Sequence, residues 1–246
     1  MTRSPNATSE SSRPRGVASP GSLYAMLVRQ SLYPLVANSI LAVAILLARV
    51  GRTGRMTYVF LVWNLFLAWV PYVCSSLTLW LRGRHPARVV PAIVLSIVWL
   101  AFFPNAPYIV TDFVHLRPRA LIPVWYDIGM LLAFAINGVL LSMVSLAAMQ
   151  SIVRRRAGPV LAWIFASTVC LLSGFGIYLG RVLRWNSWDL LVRPGNLVDD
   201  AAAQFSRMQD YPPALGFTGI FGAILLVCYV FFATLQPPVV PSSRTQ

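Results

Sequence analysis

The run VWYDIGMLLAFAINGVLLSMVSLAAM, from Val124 to Met149, carries Asp127 as its one charged residue. A span needs roughly 20 apolar residues at about 1.5 Å of rise each, and this run is long enough to cross a bilayer. Further apolar runs lie on both sides of it. Upstream are Leu32 to Ala48, Met56 to Leu81 and Val89 to Phe103; downstream are Val160 to about Leu183 and Ala214 to Leu235. Pro34 falls in the first turn of the first run, where proline is tolerated. The sequence therefore reads as an all-α, polytopic transmembrane helical bundle of about six spans, over residues 23–237. The Ser-, Pro- and Arg-rich stretch 1–22 and the stretch 238–246 read as disordered tails.

Composition agrees. Of 246 residues 57% are hydrophobic and 11% charged, too few charges to cover a surface in water. The net charge of +13 sits in short clusters between apolar runs, as in membrane loops, which sets nucleic acid aside. Membrane lipids are the expected partners, with a homo-oligomer as an option. Cys74, Cys170 and Cys228 all lie inside apolar runs and read as small buried hydrophobes. Neither a metal-ligand spacing nor a cofactor motif is legible. Six spans put both termini on one side. The arginines divide almost evenly between the two faces, and the compact groups Arg82/Arg84/Arg88 and Arg154–Arg156 place the termini in the cytoplasm. Arg49 is read here as a loop charge, beside Arg52 and Arg55.

The unusual polar residues gather in two connections on the opposite face. One holds Asn105, Tyr108, Thr111, Asp112, His115, Tyr126 and Asp127; the other holds Tyr178, Arg181, Arg184, Asn186, Ser187 and Asp189. Asn64 lies on the same side, about 12 Å into the second span if that span starts at Met56. Pro104 and Pro107 remove two amide donors roughly 22 Å into a core of about 30 Å, so freed carbonyls there must meet protein or a wet cavity. Asp112 and His115 are three apart and share a face on a helical turn. With Asp127 they are the raw material of a metal site or an acid–base pair. The plainer reading has Asp112 and Asp127 neutralising Arg181 or Arg184 across helices. Arg181 and Arg184 could together hold an anionic group, such as a lipid phosphate. Gly174, Gly176 and Gly180 read as sites of close helix packing rather than as a phosphate loop.

These stretches resemble a bacterial membrane-protein family catalogued as domain of unknown function 1361. The matching strings are WNLFLAWVPY (Trp63 to Tyr72), FPNAPYIVTD (Phe103 to Asp112), His115-Leu116, Trp125-Tyr126-Asp127, IYLGR (Ile177 to Arg181) and RWNSWD (Arg184 to Asp189). The resemblance implies a multi-pass protein of the bacterial plasma membrane and brings no activity. Three functions are consistent with the residues. The first is transport or binding of a small or anionic ligand through the polar site. The second is a membrane-embedded enzyme acting on lipid or polyprenyl-phosphate head groups. The third is a structural or assembly partner in a membrane complex.

Overall fold

A computed structural model of the chain describes residues 26–27, 31–119, 121–182, 203 and 212–235. The two expected tails lie outside the described residues. The described elements are helical: α1 (Leu32–Thr53), α2 (Phe60–Arg84), α3 (Val89–Phe102), the single turn α4 (Asn105–Tyr108), a 3-10 segment (Ile109–His115), α5 (Val124–Arg181) and α6 (Pro212–Thr234). No strand occurs among them.

Five helical segments are long and apolar enough to cross a membrane. The longest, α5, has 58 residues, about 87 Å of helix and far more than one crossing needs. It is interrupted at Gly158, whose φ of 86° and ψ of 174° lie where only glycine is at ease. The arms 124–157 and 159–181 fold back on each other: Gln150 Nε2 donates to the Ala162 carbonyl at 3.3 Å, and Leu146 and Met149 pack with Ala166, Val169 and Cys170. Counting the arms separately gives six crossings, as the apolar runs predict. A Cβ at Gly158 would meet nothing within 4 Å, so Gly158→Ala brings no clash. It is expected to cost about 1–3 kcal/mol through backbone strain alone, read as a lower thermal-unfolding midpoint in detergent.

Contacts fix the up-and-down order. The Arg49–Asp127, Asn64–Asp112 and Arg181–Asp112 bonds bring the end of α1, the start of α2, the 3-10 segment and both ends of α5 to one pole. The packing of Tyr178 with Ala214 adds the start of α6. α5 is the central element: 67% of its most apolar window is buried, against 22% for α1 and for α6. The outward faces stay apolar, with Ile40, Leu47, Val90, Ile97, Val160, Ile220, Val227 and Phe231 all exposed. Water would not tolerate that surface, and lipid requires it. The protein is a multi-pass membrane bundle.

Three boundaries differ from the sequence expectation. α1 runs on to Thr53 rather than stopping at Ala48, so Arg49 lies inside the helix and is 1% exposed, not a loop charge. α2 begins at Phe60 rather than Met56, so Asn64 sits about one turn in, near 6 Å. The prolines after Phe102 do not eject the chain. Phe103, Pro104, Tyr108 and Ile109 all keep right-handed helical dihedrals, and the segment continues as α4 and the 3-10 turns. Its freed backbone meets protein. Asn105 Nδ2 donates to the Phe102 carbonyl at 3.0 Å, and the Ala106 carbonyl lies so close to Gly138 that any Cβ there would collide with it.

Candidate functional site

Two polar clusters occupy the pole described above, and Tyr58 joins them. The first is built on the 3-10 segment, in which residues three apart eclipse one another. Asp112 and His115 therefore point the same way, toward the last residue of α5. Arg181 Nη2 donates to Asp112 Oδ1 at 2.6 Å and to Thr111 Oγ1 at 2.6 Å; its Nε also donates to Thr111 Oγ1, at 3.0 Å. Its Nη1 is 3.2 Å from His115 Nε2. A guanidinium can only donate, so a hydrogen bond here has Nε2 as its acceptor. The guanidinium also lies over the Tyr108 ring, 4.6 Å from its centroid. On the far side of the carboxylate, Asn64 Nδ2 donates to Asp112 Oδ2 at 2.8 Å. Asp112 is buried and Arg181 is partly open to the outside.

Only Asp127 of the second cluster stands out in the sequence; Arg49, Tyr58 and Arg119 do not. Arg49 Nε donates to Asp127 Oδ1 at 2.7 Å and Nη2 to Oδ2 at 3.2 Å, a two-pronged pair with both side chains fully enclosed. Asp127 stands in the first turn of α5, where a carboxylate also suits the positive helix end. The Arg49 guanidinium lies 4.6 Å from the Tyr58 ring centroid, and that of Arg119 lies 5.3 Å from it. The Tyr58 hydroxyl donates to the His115 carbonyl at 2.9 Å, tying this cluster to the first. Burial, reinforced by the Asp127 carboxylate, pushes that hydroxyl above its ordinary range, which keeps it a neutral donor. Arg119 Nη1 donates to Thr57 Oγ1 at 3.0 Å.

Of the expected site residues, Asn64, Tyr108, Thr111, Asp112, His115 and Arg181 do come together. Asp112 pairs with Arg181 as anticipated. Asp127 pairs with Arg49 and not with Arg181. Asn105 serves the backbone of its own turn. The Tyr126 hydroxyl donates to the Ile45 carbonyl at 2.8 Å, holding α5 to α1, and Tyr178 packs on Phe217. Arg184, Asn186, Ser187 and Asp189 lie outside the described residues. Among the described residues no group of three His, Cys, Asp or Glu side chains is close enough to hold a metal ion. The missed members are Arg49, Tyr58 and Arg119.

Deeper in the bundle, Ser39 Oγ accepts from Asn137 Nδ2 at 2.5 Å and from Trp69 Nε1 at 3.1 Å, while Asn38 Nδ2 donates to the Ala133 carbonyl. These bonds join α1, α2 and the first arm of α5 and do not reach the polar pole. At the opposite end the Tyr229 hydroxyl donates to Gln150 Oε1 at 2.6 Å, joining α6 to the same arm.

The chemistry of the pole is lopsided. All four carboxylate oxygens of Asp112 and Asp127 are taken by Asn64, Arg49 and Arg181. Donors are left over: among the described residues the buried Arg49 Nη1 and Arg119 Nε have no acceptor. Such an arrangement offers a cation no free carboxylate oxygen and leaves spare capacity to hold an anion.

The family model described as Protein of unknown function (DUF1361) matches residues 63–228, a stretch that holds Asn64, Asp112, Asp127 and Arg181 and leaves out Arg49 and Tyr58. No match to the chain was found among curated proteins or among solved structures.

Proposed function

Because the chain belongs to the family described as Protein of unknown function (DUF1361), a membership that carries no activity with it, we propose its function from the polar pole: binding of a small anionic ligand, for transport or for recognition. One observation carries this reading. The carboxylates at the pole are closed by internal partners, whereas guanidinium donors remain open. We place the protein in a bacterial plasma membrane with its termini in the cytoplasm. The support is the arginine groups Arg82/Arg84/Arg88 and Arg154–Arg156, which lie at the pole opposite the site. The site then faces outward.

A second reading, the assembly partner, draws support from the closure of both ion pairs, which would staple helices together. The two readings part on one experiment. Asp112→Arg combined with Arg181→Asp is expected to restore folding lost in either single variant, since the pair is re-formed with its ends exchanged. If the pole binds anions, wild-type protein in detergent gains up to about 2.7 kcal/mol of stability at a hundred-fold excess of anion over Kd. Stability that is indifferent to phosphate, sulfate and anionic lipid alike would remove the binding reading and leave the staples.

A further inference from the structure

Resting on the anion-binding reading, we propose that the anion is a phosphate, either free or in a lipid headgroup, and that it binds beside Tyr58 at Arg49 and Arg119 rather than on Arg181. Arg181 is the better exposed, yet its Nε, Nη1 and Nη2 are all committed to Thr111, His115 and Asp112. Arg119 is different. Among the described residues the ion pairs are Arg49–Asp127 and Arg181–Asp112, so Arg119 has no carboxylate. Its side-chain contacts include the Thr57 hydroxyl and Tyr58. The linked cluster of Arg49, Arg119, Arg181, Asp112 and Asp127 therefore carries one positive charge in excess. Low-dielectric surroundings make an uncompensated charge costly, and a bound anion removes that cost.

Donor geometry points to the same place. Arg49 is 1% exposed and its Nη1 has no acceptor; Arg119 Nε is likewise enclosed and unpartnered. Both guanidiniums lie against the one ring of Tyr58. Guanidinium donors suit the several oxygens of a phosphate, which can accept from two arginines at once. Thr57, the hydrogen-bond partner of Arg119, is exposed and marks the side from which an anion would reach the pair. Arg52, in the last turn of α1, and Arg55, just beyond it, are exposed and would raise the local concentration of anions.

The test uses the full chain purified in a non-ionic maltoside detergent, with the thermal-unfolding midpoint as readout. One arm adds inorganic phosphate; the other adds phosphatidylglycerol to the micelles. In at least one arm the wild type and the exposed-site control Arg117→Gln are expected to rise together, while Arg119→Gln keeps less than a third of the rise. The arm that responds identifies the source of the phosphate. A full rise in Arg119→Gln would overturn the Tyr58 position and leave anion binding standing. No rise in either arm for the wild type would overturn both. Should Arg119→Gln not fold, Arg119→Lys makes the same comparison, since it keeps the charge and removes the Nε donor.

Discussion

Asp127→Ala is expected to lower folding stability by about 3–5 kcal/mol, because it leaves the Arg49 guanidinium enclosed with no counter-charge. The enclosure is what sets the magnitude. A surface pair of the same geometry would contribute roughly 0–1 kcal/mol, since water replaces either partner. Here both side chains are at most 2% exposed, and water cannot follow. Arg49→Met together with Asp127→Leu removes both charges and fills the space with apolar groups, so that double variant should regain most of the loss. Denaturant unfolding of the three proteins in one detergent checks the pattern. A single variant as stable as the wild type would mean that Arg49 finds another acceptor.

Gly174→Val is expected to cost about 3 kcal/mol and to loosen α6 from the bundle. A Cβ at Gly174 would stand 2.3 Å from the Thr218 carbonyl oxygen and 2.8 Å from the Gly222 amide nitrogen. Both obstacles are backbone and cannot rotate away. Gly222 faces the same seam, where its own Cβ would meet the Leu171 Cα at 3.0 Å. Small residues at such a crossing let two helices approach until dispersion contacts between them are dense. The control is Gly219→Ala on α6, where an added Cβ meets nothing within 4 Å. It should be neutral or slightly stabilising, as alanine favours helix. Equal loss in both variants would mean that the close approach at Gly174 does not set its cost.

The bundle was legible in the sequence because apolar runs of spanning length have few other uses. Gly174 and Gly176 were legible as packing sites for a related reason: lipid gives no hydrophobic drive to join helices, so close contact must come from small residues. A Cβ at Gly176 would indeed stand 2.7 Å from Pro104 Cγ. The Asn64–Asp112–Arg181 cluster was half legible. Side-of-membrane bookkeeping put its members at one pole, and the three-residue spacing of Asp112 and His115 put those two on one face. Arg49 was not. It closes an apolar run, a position where an arginine ordinarily reaches out to the interface, and nothing local marks it as turned inward. Tyr58 lies at the start of an apolar run, and Arg119 lies in a connection that reads as a polar loop. Their role depends on contacts across 57 and 62 residues of chain, to His115 and Thr57, beyond the reach of any helical spacing rule.

The pairing of Arg49 with Asp127 also sets a clock for biogenesis. The two residues are separated by 78 positions, so at a synthesis rate of about 5–20 residues per second the arginine is made roughly 4–16 s before its counter-ion. During that interval α1 must sit in the membrane with Arg49 reaching toward the headgroups, close to the end of its helix. Its final seat becomes available only when the first turn of α5 arrives. The first helix thus enters early and settles late, and the nascent chain passes through a stage in which α1 is inserted but not yet docked.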